Sequence, residues 1–323
     1  MIKYVLRRIL YMIPVLLGVS LIIFTILFFT PGDPAQMILG DEADETTVAE
    51  LRESMGLNDP FYVRFFNYIG DIVLHRDFGI SYVTKQPVAD ELFSRYPTTI
   101  ILAIASTLVA CLVAIPLGIL SAIKQNSFID SLSRVIAMIG VSMPNFWQGL
   151  LNILLFAVCL KWLPVSGFST PLHWILPAVT IGTSGAAAIM RITRSQMLET
   201  VRQDYIRTAR AKGASEHTVI WKHALKNAMI PVITVIGIRF GASLSGSIVT
   251  EQVFNIPGLG KLMIDSINNR NYPVIQGGVL LIAFAYSLIN LAVDLLYSFV
   301  DPRIKSQYGT GKKHVLAKRK GTA

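Results

Sequence analysis

Residues 204–231 read DYIRTARAKGASEHTVIWKHALKNAMIP and form a basic, polar insert between two apolar runs. Alanines and long charged side chains favour a helix as far as Lys212. Gly213 is suited to the left-handed conformation that ends a helix, and Ser215 is placed to cap a second one. The insert therefore predicts two short helices joined by a turn, lying on a membrane surface where a soluble protein can push on them.

The composition of the whole chain indicates a membrane protein. Of its 323 residues, 53% are hydrophobic and only 15% are charged, with a mean hydropathy of +0.54. The apolar residues are concentrated in long uninterrupted runs, as in transmembrane helices. The net charge is +9, but the basic residues are distributed among the loops between those runs. Membrane orientation explains this distribution better than nucleic-acid binding, which we therefore do not expect.

Six apolar runs are each close to the ~20 residues that a helix needs to cross a bilayer. They cover residues 9–30, 97–123, 135–160, 172–190, 227–250 and 274–300. The predicted fold class is thus an all-α membrane protein with six transmembrane helices. We divide the chain into residues 1–96, with the first helix and an external region, residues 97–303, a five-helix core with the loop 203–226, and residues 304–323, a basic tail.

Lysine and arginine side chains mark one side of the membrane. They cluster near residues 3–8, in the loops 124–134 and 191–226, and in the tail after residue 300. All of these regions fall on the same side of a six-helix protein, and the positive-inside rule makes that side cytoplasmic. Both chain termini are then cytoplasmic. The opposite side receives residues 31–96, which carry twelve acidic and five basic residues.

Two external segments have open interpretations. Residues 31–96 are patterned well enough to fold as a small region, whose acidic run 41–45 is either a solvated surface or a docking site for an external protein. Residues 251–273 contain a turn at Pro257 and Gly258, followed by a half-apolar helical stretch. That stretch is either a lid at a pore mouth or a packed connecting helix.

No catalytic or metal-binding motif is present in the sequence. The five histidines lack the spacing of a zinc protease, and no G-x-x-x-x-G-K-[ST] phosphate loop occurs. Cys111 and Cys159 lie in apolar runs and are interpreted as small buried hydrophobic residues. We therefore predict no enzyme activity and no cofactor. If ATP drives transport, another chain must hydrolyse it.

Two charged residues lie inside the predicted helices, Arg239 and Asp294. A central arginine in lipid costs several kcal/mol, so Arg239 must face protein or water. It either lines a substrate path and pairs with a carboxylate of the cargo, or forms a structural pair with Asp294 or Asn290. We expect the structural pair. Small residues at 237–246 either permit close helix contact or line a wide pathway.

The insert also resembles the "EAA" coupling loop of ABC importer permeases. The runs Thr208-Ala-Arg-Ala-Lys-Gly213 and His223-Ala-Leu-Lys-Asn-Ala-Met-Ile-Pro231 are typical of the dipeptide, oligopeptide and nickel permeases. His223 and Lys226 occupy positions where the general motif has isoleucine and proline. The resemblance implies that this loop couples the permease to an ATPase. The residues to which it assigns this role are Thr208, Ala209, Arg210, Ala211, Lys212, Gly213, Ala214 and Ser215.

Further blocks extend the resemblance over residues 4–303. In chain order they are residues 4–8, 29–35, 77–81, 95–103, 253–260, 270–277 and 301–303. On these blocks the chain is identified as a member of the dipeptide/oligopeptide/nickel ABC importer permeases, of the subunit type with a long first external loop. The resemblance implies the type I importer fold, with six transmembrane helices and a cytoplasmic coupling helix pair.

Membership of this family implies a complex in a bacterial plasma membrane. Its partners would be a second homologous permease, two cytoplasmic ATPases, an extracytoplasmic substrate-binding protein and membrane lipid. The cargo would be a di- or oligopeptide, with a nickel chelate or glutathione as alternatives. An ATPase-independent secondary carrier is the competing function. Such a carrier does not need the basic insert, and it typically has several buried acids.

Overall fold

The computed structural model describes residues 2–40 and 43–300, and the regular structure in that range is helical. The helices are α1 (Ile2–Phe29), α2 (Pro34–Leu39), α3 (Glu45–Ser54), α4 (Phe61–Gly70), α5 (Val88–Ile123), α6 (Phe128–Ser142), α7 (Asn145–Asn152), α8 (Leu172–Val201), α9 (Asp204–Ala211), α10 (Glu216–Thr218), α11 (Leu225–Val253), α12 (Leu259–Asn268) and α13 (Tyr272–Val300). Wider, π-helical turns continue α4 over Asp71–His75, α7 over Ile153–Cys159 and α10 over Val219–Ala224. The predicted basic tail, residues 304–323, lies outside the described residues, as do residues 41 and 42 of the acidic run.

Five helices are long and apolar enough to cross a membrane, namely α1, α5, α8, α11 and α13. The bent pair α6–α7 brings the number to six if it counts as one crossing. The predicted all-α membrane architecture is therefore confirmed. The third span, however, differs from the single helix predicted over residues 135–160.

The chain bends by 105° between α6 and α7. Pro144 lies at the bend, where it has no N–H to donate and holds Met143 in an extended conformation (φ −84°, ψ 126°). The start of α6 at Phe128 is set by Ser127, whose side chain accepts a hydrogen bond from the Asp130 N–H. The prediction of one continuous helix over residues 135–160 is thus wrong, because a proline ends the helix inside a sufficiently long apolar run.

Helix α5 starts at Val88 and passes through the predicted domain boundary after residue 96. Its first turns are stabilised because Val88 and Leu92 are buried against α12 and α13. Pro97 lies within the helix, as membrane helices tolerate when neighbouring groups satisfy the freed carbonyl. The end of the predicted external region and the first core helix are therefore one continuous element.

The core of the bundle is formed by α5, α8 and α11, which pack against one another. The contact between α5 and α8 is close, since a Cβ on Gly182 would lie 2.7 Å from the carbonyl oxygen of Ser106. A buried cluster with Ala110, Ala114 and Ala186 continues this packing. Helix α13 completes the bundle by packing against α11 and α1.

The two ends of the bundle differ in charge, and we name them accordingly. The basic end carries the turn 124–127 and the segment 202–224, whereas the acidic end carries α2–α4 and α12. At the acidic end, Phe24 of α1 packs against three aromatic rings of α4. The region predicted to fold outside the core is thus helical and fixed to α1.

The two cysteines differ in their surroundings. Cys111 is half-buried, but Cys159 is exposed, so the prediction that both are buried is wrong for Cys159. Its position at the end of the π-helical turn Ile153–Cys159 places it where the chain leaves the bundle. An exposed apolar residue is ordinary on the outside of a membrane bundle, because lipid tails are as apolar as the side chain.

Candidate functional site

The turn between α9 and α10 is built as the sequence indicates. Gly213 has φ +81°, and the prediction of a left-handed residue at this position is confirmed. The Gly213 N–H donates to the Arg210 carbonyl (2.9 Å), and the Ala214 N–H donates to the Ala209 carbonyl (3.2 Å). These bonds satisfy the last carbonyls of α9 and turn the chain towards α10.

A cap and an ion pair fix the second helix of the pair. Ser215 Oγ accepts a hydrogen bond from the Thr218 N–H, 3.4 Å away. Across the turn, Nε and Nη2 of Arg210 donate to the two carboxylate oxygens of Glu216, at 2.7 and 3.2 Å. The hydrogen bond raises the pKa of Arg210 and lowers the pKa of Glu216 from their ordinary values. The angle between the two helices is therefore fixed by side-chain contacts as well as by the backbone turn.

Buried side chains anchor the helix pair to the basic end of the bundle. Ile206 of α9, and Val219 and Ala224 of the α10 segment, are fully buried in a cluster with Met197 of α8 and Ile119 of α5. Full burial of a Val or Ile side chain contributes about 1.5–3 kcal/mol. The helix pair is therefore packed directly against α5 and α8.

The predicted coupling residues divide between two faces. Ala209 and Ala214 pack on the buried cluster. The exposed members are Thr208, Arg210, Ala211, Lys212, Gly213 and Ser215. Tyr205 and Trp221, which are 44% and 48% exposed, extend this surface beyond the predicted coupling residues. The sequence indicates these two residues only in that they are large aromatic side chains within a polar insert. We call these exposed residues the outer face of the helix pair.

A buried ion pair joins α6 to α8 at the basic end. Asp130 is fully buried, and its carboxylate accepts hydrogen bonds from Nε and Nη2 of Arg194 at 2.9 and 2.8 Å. Ser121 of α5 and the Asn126 N–H donate to the same carboxylate. These donors compensate a charge that is otherwise costly to bury. The sequence gives no sign of this pair, because its members are 64 positions apart and each resembles an ordinary loop charge.

The predicted pair between Arg239 and Asp294 is not formed. Asp294 Oδ2 lies 2.9 Å from Arg8 Nη1 instead, and so joins α13 to α1. Helix geometry explains the difference, because Gly237 of α11 faces Val293 of α13. Arg239 follows two residues later, about 200° around the helix, and therefore points away from α13.

Arg239 lines a cavity of about 160 Å³ between α5, α7, α8 and α11, whose wall contains both apolar and polar side chains. The other polar side chains that line it are Ser106, Thr107, Asn145, Ser184 and Ser243. Among residues 2–40 and 43–300, Arg239 forms no hydrogen bond or ion pair, and thus none with Asn290. The small residues of α11 have two roles. Gly237 and Gly241 face α13 and permit close helix contact, whereas Ser243 faces the cavity.

A second buried carboxylate organises the acidic end. Glu251, near the end of α11, is fully buried, and its Oε1 accepts hydrogen bonds from Thr99 Oγ1 (2.7 Å) and Ser247 Oγ (3.0 Å). Oε2 accepts from the backbone N–H of Lys261 (3.0 Å), in the first turn of α12. Helix α12 is thus fixed to α5 and α11. This arrangement matches the packed-helix alternative for residues 251–273, since a lid would have to break these bonds to open.

Comparison with known proteins identifies the family. Residues 114–306 match the family described as "Binding-protein-dependent transport system inner membrane component", and residues 1–103 match its N-terminal counterpart. The dipeptide transport system permease protein DppB of Alkalihalophilus pseudofirmus is 44% identical, over 94% of this chain and 100% of that protein. The glutathione transport system permease protein GsiC of Escherichia coli is 46% identical, over 94% of this chain and 99% of that protein.

A solved structure supports the same fold. The MetNI methionine ABC transporter, in an inward-facing conformation, contains a chain that matches with a TM-score of 0.57 at 19% identity. The match covers 66% of this chain and 97% of that chain. At this identity the likeness concerns the fold alone, whereas the sequence matches decide the family. The chain is a multi-pass membrane protein that belongs to the inner membrane components of binding-protein-dependent transport systems, the permease subunits of ABC importers.

Proposed function

We propose that this chain is one permease subunit of an ATP-driven importer for di- or oligopeptides. It forms half of the translocation pathway in a bacterial plasma membrane, and a second homologous permease forms the other half. Support comes from the relatives, because proteins named for dipeptide and for glutathione transport are similar to this chain over nearly its full length. Glutathione is a tripeptide, so both names indicate short peptides as cargo.

The observation that carries this proposal is the anchored helix pair α9–α10. Its inner side is buried in the bundle through Ile206 and Val219, and its outer face is exposed. We assign ATP hydrolysis to two separate cytoplasmic ATPases, because the sequence has no phosphate loop. The ATPases push on the outer face, and the buried side chains pass the movement to α5 and α8. A secondary carrier has no use for such an element.

The cargo path in this proposal runs past Arg239. A guanidinium in the middle of α11, beside a cavity lined by several hydroxyl groups and without a partner among the described residues, favours the approach of an anion. Every linear peptide with a free C-terminus supplies a carboxylate, which pairs well with arginine. Arg239 therefore contacts the cargo carboxylate in transit. Selection among peptides rests with an extracytoplasmic binding protein that docks at the acidic end.

Co-purification tests the proposed complex. The tagged chain, extracted from its native membrane, should bring down a second permease and an ATPase pair in stoichiometric amounts. Liposomes with this complex and its binding protein should take up labelled dipeptide only when ATP is supplied on the ATPase side. Uptake by the chain alone, driven by an ion gradient, would establish the secondary carrier instead.

Glutathione is the second candidate cargo, because GsiC is 46% identical to this chain and DppB is 44% identical. The two similarities do not separate the cargoes. Competition assays with the reconstituted complex do so, with labelled dipeptide as cargo and unlabelled glutathione or a nickel chelate as competitor. Half-maximal inhibition by glutathione at a lower concentration than by unlabelled dipeptide would assign glutathione as the preferred cargo.

A further inference from the structure

A groove of about 440 Å³ lies between α6 and α8 near the basic end. Its apolar wall is formed by Ala137, Met138, Val141, Ala187 and Met190, and its polar residues are Arg134, Ser142, Arg191 and Arg194. The α6 members recur every three or four residues and so occupy one face of that helix. This face is open to the surroundings of the chain, since Met138 is 70% exposed and Val141 is 52% exposed. We call it the α6–α8 groove.

The charges of the α6–α8 groove are unbalanced. Three arginines line it, and Asp130 is the carboxylate that pairs with two of them within the described part of the chain. Arg194 is committed to Asp130 by two hydrogen bonds, and Nε of Arg134 lies 3.5 Å from the same carboxylate. Arg191 has no ion pair among the described residues. The groove therefore carries two positive charges in excess.

A ligand of this groove must be anionic at one end and apolar over the rest. Both α6 and α8 belong to candidate membrane spans, so the apolar wall lies at bilayer depth. Arg134 lies in the second turn of α6, and Arg191 and Arg194 lie in the half of α8 nearer to the basic end, so the cations lie towards the membrane surface. This is the arrangement of a phospholipid, whose charged group is at the surface and whose chains are inside.

We propose that the α6–α8 groove binds an anionic phospholipid from the leaflet at the basic end. The phosphate diester accepts hydrogen bonds from Arg134 and Arg191, and one acyl chain lies along Met138 and Val141. A peptide fits the groove less well, because its backbone needs hydrogen-bond partners that an apolar wall does not supply. A second protein chain would have to bring a carboxylate to the same two arginines.

The bound lipid bridges α6 and α8 beside the pair of Asp130 and Arg194. Helix α8 continues from there into α9 and the helix pair, so the lipid stabilises the helices to which that pair is anchored. Anionic lipid should therefore increase peptide uptake per ATP hydrolysed. This effect on uptake rests on the proposed function, whereas lipid binding does not, so the two parts can fail separately.

Native mass spectrometry of the purified full complex measures the binding, with phosphatidylglycerol and phosphatidylcholine as probes. Wild type should retain phosphatidylglycerol in preference to phosphatidylcholine. The double variant Arg134→Gln, Arg191→Gln should bind phosphatidylglycerol about 25-fold more weakly, about a factor of five for each arginine. The matched control Lys124→Gln, Arg202→Gln removes two exposed cations of the basic end outside the groove and should bind as wild type does.

A second variant keeps every charge and places a larger side chain in the apolar part of the groove. Met138→Trp should also weaken phosphatidylglycerol retention, and Arg191→Lys should restore part of the binding lost in Arg191→Gln. Equal retention by wild type and the double variant would overturn the proposal. Displacement of the lipid by millimolar inorganic phosphate would mean that the arginines take a free anion. A disulfide between Met138→Cys and a cysteine of the second permease would mean that protein covers the groove.

Discussion

The guanidinium of Arg194 forms a bidentate ion pair with the carboxylate of Asp130, which is fully buried between α6 and α8. The pair lies close to the point where α8 ends and the helix pair α9–α10 begins. At the acidic end, Glu251 has the corresponding role, since its buried carboxylate joins α11, α5 and α12. Each end of the bundle is thus held by one buried acid whose donors come from several helices.

Replacing Asp130 by Asn should destabilise the chain, because it leaves the partly buried Arg194 without a counter-charge. Breaking a fully buried pair in this way costs about 3–5 kcal/mol, and the partial exposure of the Arg194 side chain (21%) makes the expected cost smaller. The check is the thermal midpoint of unfolding in detergent, which should fall clearly. Asp204→Asn is the control, since the Asp204 side chain is 97% exposed and lies 3.7 Å from Arg207. An equal midpoint for both variants would contradict a structural role of the pair.

Replacing Gly213 by Val should leave the chain in the membrane but weaken ATPase retention or uncouple hydrolysis from uptake. A β-branched residue at φ +81° strains the turn by about 1–2 kcal/mol. No side-chain clash within the chain contributes, because a Cβ at this position meets nothing within 4 Å among the described residues. Gly213→Asn is the control, since asparagine tolerates the left-handed conformation. Normal uptake and ATPase pull-down with Gly213→Val would show that this turn is not the coupling element.

Replacing Arg239 by Leu should reduce uptake and leave the complex assembled. Arg239 forms no ion pair within the described residues, so its charge is not needed to hold the helices of this chain together, whereas the proposed contact with the cargo carboxylate requires it. Loss of a charge-assisted hydrogen bond, about 1.5–3 kcal/mol, corresponds to roughly ten- to hundredfold weaker uptake. Initial rates in proteoliposomes give the measurement, with Arg239→Lys as the charge-conserving control. Dissociation of the second permease on Arg239→Leu would instead assign a structural role.

Replacing Glu251 by Gln should loosen α12. The amide has the shape of the carboxylate but replaces one acceptor oxygen by an NH₂ group. In one orientation the NH₂ group faces Thr99 and Ser247. In the other it faces the Lys261 N–H, which then has no acceptor. The expected cost is about 1–3 kcal/mol, that of an unsatisfied buried group. Hydrogen exchange of residues 259–268 should become faster. Glu199→Gln, at an exposed position, is the control and should leave that exchange unchanged. Equal protection of residues 259–268 in both variants would show that Glu251 does not hold α12 in place.

Single cysteines at Asp44 and Glu216 should react from opposite sides of sealed cells. Both positions are exposed, and they lie at the acidic and the basic end of the bundle, respectively. The excess of lysine and arginine at the basic end predicts that this end is cytoplasmic. A membrane-impermeant maleimide should therefore label Asp44→Cys in intact cells and Glu216→Cys only after lysis. Labelling of both in intact cells would overturn the topology.

Local sequence patterns predict the membrane spans and the turn between α9 and α10. The apolar spans follow from run length, because a helix has to cover the bilayer with residues that need no water. The turn at Gly213 follows from a single residue that accepts positive φ, and the cap at Ser215 from one hydroxyl next to free N–H groups. Each of these features depends on residues that are close together along the chain, which the sequence presents directly.

Long-range partners depended on the tertiary structure alone. Glu251 meets Thr99 across 152 positions, and Asp130 meets Arg194 across 64, because the helices α5, α6, α8 and α11 pack in one particular arrangement. The same packing turns Arg239 away from α13 and gives Asp294 to Arg8. Sequence alone establishes that a charge in a membrane helix must face protein or water. Whether it meets a partner, and which one, is decided by the rotation of each helix and by the neighbours that surround it.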